Sequence, residues 1–275
     1  MSHWEFPGSE PIEVFIDLAA GSVALTAKAT DVTTVSLAPP RFGRNADKLL
    51  SEVRVSFENG RLEVTGPKRT GLWRGYPGLD LTVTLPQGSR GAVRTASAGV
   101  TCTGELAELD AHTASGDVTA AAVTRNLQAA TASGDVRAEE TGEIADVRTV
   151  SGDVRIARAG GDVRARTASG DVSIATAAGS ATVNTASGDV RIGSMASGQA
   201  DVNTASGDVV VGVARGAGVY LDLASLSGSV TSRLEDAEPS EDVTLEVRCR
   251  SLSGDIRIAR ASSSGADRRQ AEPAG

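Results

Sequence analysis

The sequence predicts an all-β protein: a single-chain parallel β-solenoid, or β-helix, with about 18 residues and two strands per coil and a strand-rich N-terminal cap. Three observations predict it. A six-residue motif recurs at a nearly fixed step, glycine and β-branched residues recur in every unit, and only 3% of the 275 residues are aromatic. Recurrent glycine and β-branched residues disfavour a helical repeat, whereas a short regular repeat is typical of stacked coils.

The repeated motif is Thr-Ala-Ser-Gly-Asp-Val. Successive units follow at a step of 18 five times and then at steps of 19, 21 and 26, which predicts a ladder that loosens toward its C-terminal end. The third position is Ser in every unit, the fourth is Gly after the first unit, and the fifth is mostly Asp. We interpret Ser-Gly-Asp as a turn in which Gly supplies a positive φ while Asp and Ser accept hydrogen bonds from nearby amides. The units begin at Thr95, Thr113, Thr131, Thr149, Thr167, Thr185, Thr204, Ser225 and Ser251.

Each unit contains two strand signals. Apolar and polar residues alternate after the turn, as in Val154, Arg155 and Ile156, which is typical of a strand with one buried face. A weaker half-repeat about nine residues later predicts a second strand that includes Ala165 and Val183. Rungs about 4.8 Å apart and sheets about 10 Å apart leave a gap that Val, Ile and Ala can fill without aromatic residues.

The two ends of the chain differ from the repeats. Seven of the eight aromatic residues lie in the first 76 positions, where residues 13–18, 22–26, 52–55, 61–64 and 80–85 have strand patterns and no helix is expected. We therefore predict that residues 1–94 form a cap continuous with the solenoid and that residues 95–261 form the solenoid repeats. Residues 262–275 lack periodicity and are rich in small and charged residues, which predicts a disordered tail.

Composition excludes several classes of protein. With 35 acidic and 27 basic residues the net charge is −8, so nucleic acid is not an expected partner. We find no signal-peptide pattern and no apolar run long enough to span a bilayer, so we expect a cytoplasmic location and leave a surface location open. Cys102 and Cys249 lack partners at metal-ligand spacing and are predicted to be buried hydrophobic side chains.

These features resemble the bacterial adhesin-like family of β-strand repeat proteins known as domain of unknown function 4097. The likeness spans nearly the whole chain and rests on residues 11–14 and 21–23, on residues 80–89 before the repeats, and on the repeated Ser-Gly-Asp-Val turns. The resemblance implies a parallel β-solenoid and no established activity.

Few residues are candidates for catalysis. The two histidines, His3 and His112, are far apart in sequence, and no nucleophile elbow, phosphate loop or zinc-binding helix motif is present. Carboxylate-only chemistry, as in glycoside hydrolases, is left open by the abundance of acids, but these acids recur in a turn column as structural residues do. We therefore predict that the protein is not an enzyme, with no catalytic residues and no cofactor.

Three repeated columns could in principle bind a ligand. The Asp column supplies one carboxylate per turn, fewer oxygens than Ca²⁺ needs, so turn capping is favoured over a metal site. The Thr column is attributed to strand propensity rather than to an ice-binding face. Arginines in the seventh column are interpreted as a solvated face rather than as a ribbon for an anionic partner, because acidic residues lie beside them. These arginines are Arg137, Arg155, Arg191 and Arg257.

The function predicted from sequence is that of a noncatalytic β-solenoid that binds or scaffolds an unknown protein or cell-envelope partner, with no identified partner-binding residues. The alternative is a self-assembling structural polymer resembling a bactofilin, joined end to end through uncapped coils. Growth of particle mass with protein concentration would distinguish the second from the first.

Overall fold

A computed structural model describes residues 2–39, 50–67, 78–234 and 243–261. The predicted disordered tail, residues 262–275, lies outside the described residues. Strands make up nearly all the regular structure of the described part, and only residues 50–52 are helical, contrary to the expectation that the N-terminal third contains no helix. No described helix has the length and apolar composition that crossing a membrane requires.

The strands follow one another with short connections. In the N-terminal half they are β1 (Ser2–Pro7), β2 (Glu13–Leu18), β3 (Gly21–Lys28), β4 (Val32–Ala38), β5 (Arg54–Glu58), β6 (Arg61–Thr65), β7 (Leu79–Pro86), β8 (Arg90–Thr95), β9 (Gly99–His112), β10 (Val118–Ala130) and β11 (Val136–Thr141). In the C-terminal half they are β12 (Ile144–Arg148), β13 (Val154–Ala159), β14 (Asp162–Arg166), β15 (Val172–Ala177), β16 (Ala181–Ser187), β17 (Val190–Met195), β18 (Gly198–Ser206), β19 (Val209–Val213), β20 (Gly218–Ser225), β21 (Val230–Arg233), β22 (Val243–Ser253) and β23 (Ile256–Arg260).

The strands build two parallel ladders, which we call the first and second sheets. The first sheet stacks in the order β6, β2, β8, β9, β10, β12, β14, β16, β18, β22, β20. The second stacks in the order β7, β3, β9, β10, β11, β13, β15, β17, β19, β23, β21. Because β9 and β10 are long, each takes part in both sheets. The predicted β-solenoid with two strands per coil is confirmed.

The repeat columns of the sequence are the pairing register of the structure. Val136 pairs with Val154, Val154 with Val172 and Val172 with Val190, each one coil of 18 residues further along the chain. These valines face inward and are at most 1% exposed. The half-repeat is confirmed in the same way, since Ala165 pairs with Val183 in the first sheet. Stacked identical apolar columns therefore form the core.

The N-terminal coil is not the outermost one. β2 pairs on one side with β6 and on the other with β8, and β3 pairs likewise with β7 and β9. The coil formed by β2 and β3 is thus inserted between two later coils, in the same parallel stack as the repeats. The division of the chain at residues 94 and 95 stays a proposal.

Antiparallel strands cover the end of the solenoid formed by β6 and β7. β5 pairs with β6, β4 pairs with β7, and β1 pairs with β4. Phe6 of β1 stacks on Phe57 of β5 with ring centroids 4.9 Å apart, and Trp4 packs against the same core. The strand-rich cap expected from the aromatic residues is therefore present, although neither β1 nor β4 was among the strands predicted.

The last two coils are stacked in the reverse of their chain order. β22 lies between β18 and β20, and β23 lies between β19 and β21. Thr204 consequently pairs with Ser251, and Ser225 lies on the far side of Ser251. The repeat steps of 21 and 26 near this end of the sequence did not indicate the exchange. The inner position pairs both edges of β22 and buries Val247 and Cys249 completely.

This exchange of coils predicts an inverted pattern of hydrogen exchange. We expect the amides of β22 to exchange more slowly than those of β20, although β22 lies nearer the C-terminus, because β22 is hydrogen-bonded on both edges. Exchange measured by mass spectrometry on peptides covering residues 218–225 and 245–251 tests it. Equal or slower exchange in residues 218–225, measured at a concentration where the chain is monomeric, would contradict the stacking order.

Candidate functional site

The Asp column forms a continuous hydrogen-bonded ladder along the stack. The N–H of Asp153 donates to the Oδ1 of Asp135 at 2.9 Å, and the N–H of Asp171 donates to Asp153 at 3.0 Å. The ladder continues across the exchanged coils, where the N–H of Asp255 donates to Asp208 at 2.9 Å. Each carboxylate therefore joins two coils. The prediction from sequence placed the amide donor in the same turn as the Asp. In the structure the donor is the amide of the Asp one coil later.

The hydrogen bonds of the ladder stabilise the charged carboxylates. The N–H of Asp153 and, to a smaller degree, the guanidinium of Arg137 hold the pKa of Asp135 below its usual value, against the opposing effect of partial burial. The N–H of Ser229 lowers the pKa of Asp255 in the same way. A donor aimed at a carboxylate favours its ionised form.

These lowered pKa values predict a loss of stability in acid. A carboxyl whose folded-state pKa lies below the unfolded value of about 4 stabilises the fold fully above that value and loses its contribution as the pH falls through the folded-state pKa. We expect the denaturant midpoint to fall between about pH 5 and pH 2. Asp135→Asn keeps an acceptor oxygen without titrating, so its midpoint should depend less on pH. An unchanged pH dependence would contradict this role for Asp135.

The Gly column is required by close packing between coils. A Cβ built on Gly152 would overlap the carbonyl oxygen of Gly134 and lie 2.9 Å from the Oγ1 of Thr149. Within this column only Gly207 has a positive φ, of 147°. The predicted reason for glycine, a positive φ in every turn, was therefore wrong: the neighbouring backbone leaves no room for a side chain.

Four threonines of the Thr column cap their turns from inside, whereas the hydroxyls of Thr185 and Thr204 have no hydrogen-bond partner among the described residues. The hydroxyls of Thr113, Thr131, Thr149 and Thr167 each accept a hydrogen bond of 2.9 to 3.0 Å from the amide of the glycine three residues later. These residues are at most 9% exposed, so the column is not a surface array. Strand propensity alone did not predict this role, which the fixed Thr-x-x-Gly spacing signals.

The seventh-column arginines lie against the Asp column. Arg137, Arg155 and Arg257 reach Oδ2 of the Asp two residues earlier in the chain at 2.7, 2.8 and 2.7 Å. Arg191 makes no ion pair with any described residue. Because three of the four charges are paired, this column is a neutralised ladder rather than a basic ribbon.

The cysteines and histidines occupy separate places. Cys102 and Cys249 are both buried, as predicted, and desolvation raises the pKa of each thiol to about 12. The Nε2 of His112 lies 2.8 Å from Asp110, and the Nε2 of His3 lies 3.0 Å from Glu5 at the capped end. In the described ranges, no three His, Cys, Asp or Glu side chains are grouped so that they could hold a metal ion.

A groove lies on the outer face of the first sheet. It has a volume of about 560 Å³, is open to solvent and runs across β6, β2, β8, β9, β10, β12 and β14. Ala92 lies in register between Phe15 and Asp110, so its short side chain leaves a depression between longer ones. The outward-facing residues that line this groove are Glu13, Phe15, Arg61, Arg90, Ala92, Glu108, Asp110, Asn126, Gln128, Ile144, Asp146 and Arg164.

The charges of the groove are paired in its middle and unpaired at its ends. Arg90 lies 3.5 Å from Glu13 and 3.9 Å from Glu108. Arg61 at one end and Arg164 at the other form no ion pair with a described residue. Six strand spacings separate these two arginines, about 29 Å at about 4.8 Å per rung. Sequence reasoning missed the groove because its residues come from the less regular half of each coil and from the cap.

Comparison with solved structures finds several distant likenesses, including the following three. A "putative lipid binding protein" from Parabacteroides distasonis is 12% identical, with a TM-score of 0.44 and coverage of 94% of this chain and 96% of that one. A "putative adhesin" from the same organism is 10% identical, with a TM-score of 0.40 and coverage of 93% and 96%. A "putative adhesin" from Bacteroides fragilis is 14% identical, with a TM-score of 0.36 and coverage of 94% and 96%.

Comparison with known protein families identifies the family of this chain. No curated protein matches the chain. The family model described as Toastrack DUF4097 matches residues 13–271, which contain both exchanged coils, the Asp ladder and all the repeats. That family is also the one to which the repeated turns and the opening strand pointed. The chain belongs to the Toastrack DUF4097 family.

Proposed function

We propose that this chain is a noncatalytic β-solenoid that binds a partner through the groove on its first sheet. The observation that carries the proposal is the groove itself, an elongated depression with an arginine at each end that forms no ion pair with a described residue. Its strands belong to the hydrogen-bonded ladder, so the groove is held rigid before any partner arrives. A preformed surface reduces the entropy lost on binding.

The chemistry of the groove suits recognition. Its carboxylates Glu13 and Glu108 are engaged by Arg90, and Arg125 lies 3.3 Å from Glu108. Asn126 and Gln128 supply amide donors and acceptors, and Phe15 supplies an apolar contact. A partner segment about 29 Å long, with hydrogen-bond acceptors or anionic groups toward its ends, fits the spacing of the two unpaired arginines. That this partner is a protein or a cell-envelope component, and that the chain is cytoplasmic, stay predictions.

Site-specific crosslinking tests the proposal. A photoreactive amino acid in place of Ile144, which is 38% exposed within the groove, should trap one discrete partner in cells that produce the protein. The same probe at Ser173, on the outer face of the second sheet, is the matched control and should trap none. Mass spectrometry identifies the adduct.

Charge reversal then links the adduct to the groove. Arg61→Glu combined with Arg164→Glu should abolish the Ile144 adduct and leave the melting temperature within a few degrees, because neither arginine is paired with a described residue. Equal trapping at Ile144 and Ser173, or an adduct that survives charge reversal, would contradict recognition through this groove.

A further inference from the structure

The two ends of the solenoid differ in how their cores are covered. At the β6–β7 end the inward-facing Leu62, Val64, Leu81 and Val83 are at most 1% exposed, because β1, β4 and β5 lie over them. Of the covering strands, β1 and β5 carry charged exposed residues, and β1 ends at Pro7. Charges and proline are the usual protection of a strand edge against further pairing.

The opposite end has no such cover in the described part of the chain. β20 pairs only with β22 and β21 only with β23, so the outer edge of each strand leaves backbone N–H and C=O groups unpaired. Val219, Leu221 and Leu223 occupy the inward columns of β20 but are only partly buried. Val230, in the inward column of β21, is 46% exposed. Among the residues that the structure describes, nothing covers the core at this end.

Exposed apolar side chains concentrate around the same end. Five of the seven exposed large hydrophobic residues in the described chain lie between positions 220 and 252. They are Tyr220, Leu226, Val230, Val243 and Leu252. Clustered apolar exposure of this kind marks an interaction surface.

We propose that two copies of this chain join through the β20–β21 end to form a closed dimer. A partner that satisfies both open edges must present two strands, about 10 Å apart, with apolar side chains between them. The β20–β21 end of a second copy has this geometry. The proposal concerns a different surface from the groove, so either can fail without the other.

The symmetry of the contact between the two copies follows from the covering of the β6–β7 end. Because β6 and β7 are already paired, and charges and proline protect the outer strands β1 and β5 against further pairing, we expect like ends to meet rather than unlike ends. A two-fold axis across such a contact makes the strands that meet run antiparallel, which is a sound β pairing. An isologous contact of this kind closes at two copies. The filament joined through two uncapped ends, the alternative raised by the sequence, is thus disfavoured.

Mass measurement over a range of concentrations tests the dimer. We expect light scattering coupled to size exclusion to show the full chain rising from about one to about two chain masses and then remaining there. A monomer at every concentration, or growth beyond two copies, would overturn the proposal.

A charged variant tests which end of the solenoid forms the dimer contact. Val230→Lys combined with Ser232→Lys places two charges on exposed positions at the open end and should shift dissociation to at least tenfold higher concentration. Ser56→Lys, on exposed β5 at the covered end, is the matched control and should leave the dimer unchanged. Circular dichroism shows whether the charged variant is folded. If it is not, the mass of the wild-type chain over the concentration range still tests the dimer. A dimer dissociated by Ser56→Lys alone would place the contact at the other end.

Discussion

Val172→Asp is expected to unfold several adjacent coils. Val172 is 1% exposed and stacked between Val154 and Val190, so a carboxylate there has no partner and no water. Burying an unpaired charge costs several kcal/mol, which lowers the melting temperature by roughly 10 °C in a domain of this size. Because each coil contacts only its neighbours, hydrogen exchange should rise first in β13, β15 and β17.

Ser173→Asp is the matched control. Ser173 is the next residue of the same strand, faces outward and lies in register between Arg155 and Arg191. A carboxylate there meets two guanidinium groups and solvent, so the melting temperature should stay within about 2 °C, the range expected for a surface change. If both variants melt alike, the inward and outward assignment of this strand is wrong.

The register that places Val172 inside was predictable from the sequence. In a parallel stack, a residue and its counterpart one repeat later occupy equivalent positions, so identical columns in the sequence become pairs in the structure. The step of 18 gave the pair Val136 with Val154, and the single step of 19 gave the pair Thr185 with Thr204. The family resemblance was confirmed on the same residues.

The stacking order at the two ends was not predictable in this way. The number of residues between two repeats does not determine the edge of the stack to which the next coil is added. Residues 225–233 and 251–260 carry the same pattern, so either could follow the Thr204 unit, and long-range pairing decides the order. β1 and β4 were missed because an antiparallel cap has no repeat to signal it.

The functions of the Gly and Asp columns were only partly predictable. Their recurrence shows that a turn is needed, but the contacts that explain them cross from one coil to the next. Asp135 bonds to the amide of Asp153, and Gly152 is restricted by the backbone of Gly134. Local turn chemistry describes one coil alone, whereas these columns are determined by how closely the coils approach.

Gly152→Ala tests that distinction directly. The added Cβ would overlap the carbonyl oxygen of Gly134 and force the two coils apart. The separation strains the bond from the Gly152 amide to Thr149 at 2.9 Å and the neighbouring bond from Asp153 to Asp135 at 2.9 Å. We expect a loss of several kcal/mol in the free energy of unfolding, comparable to overpacking a core and losing its hydrogen bonds.

Gly99→Ala is the control, for which we expect the free energy of unfolding to rise rather than fall. Its added Cβ would meet nothing closer than the carbonyl oxygen of Asp117 at 3.8 Å, and its φ is not positive. Replacing glycine by alanine at such a site restricts the unfolded chain and stabilises by about 0.4 to 1 kcal/mol. Chemical denaturation of both variants measures the difference. If Gly152→Ala is as stable as Gly99→Ala, close approach between coils is not what keeps the column glycine.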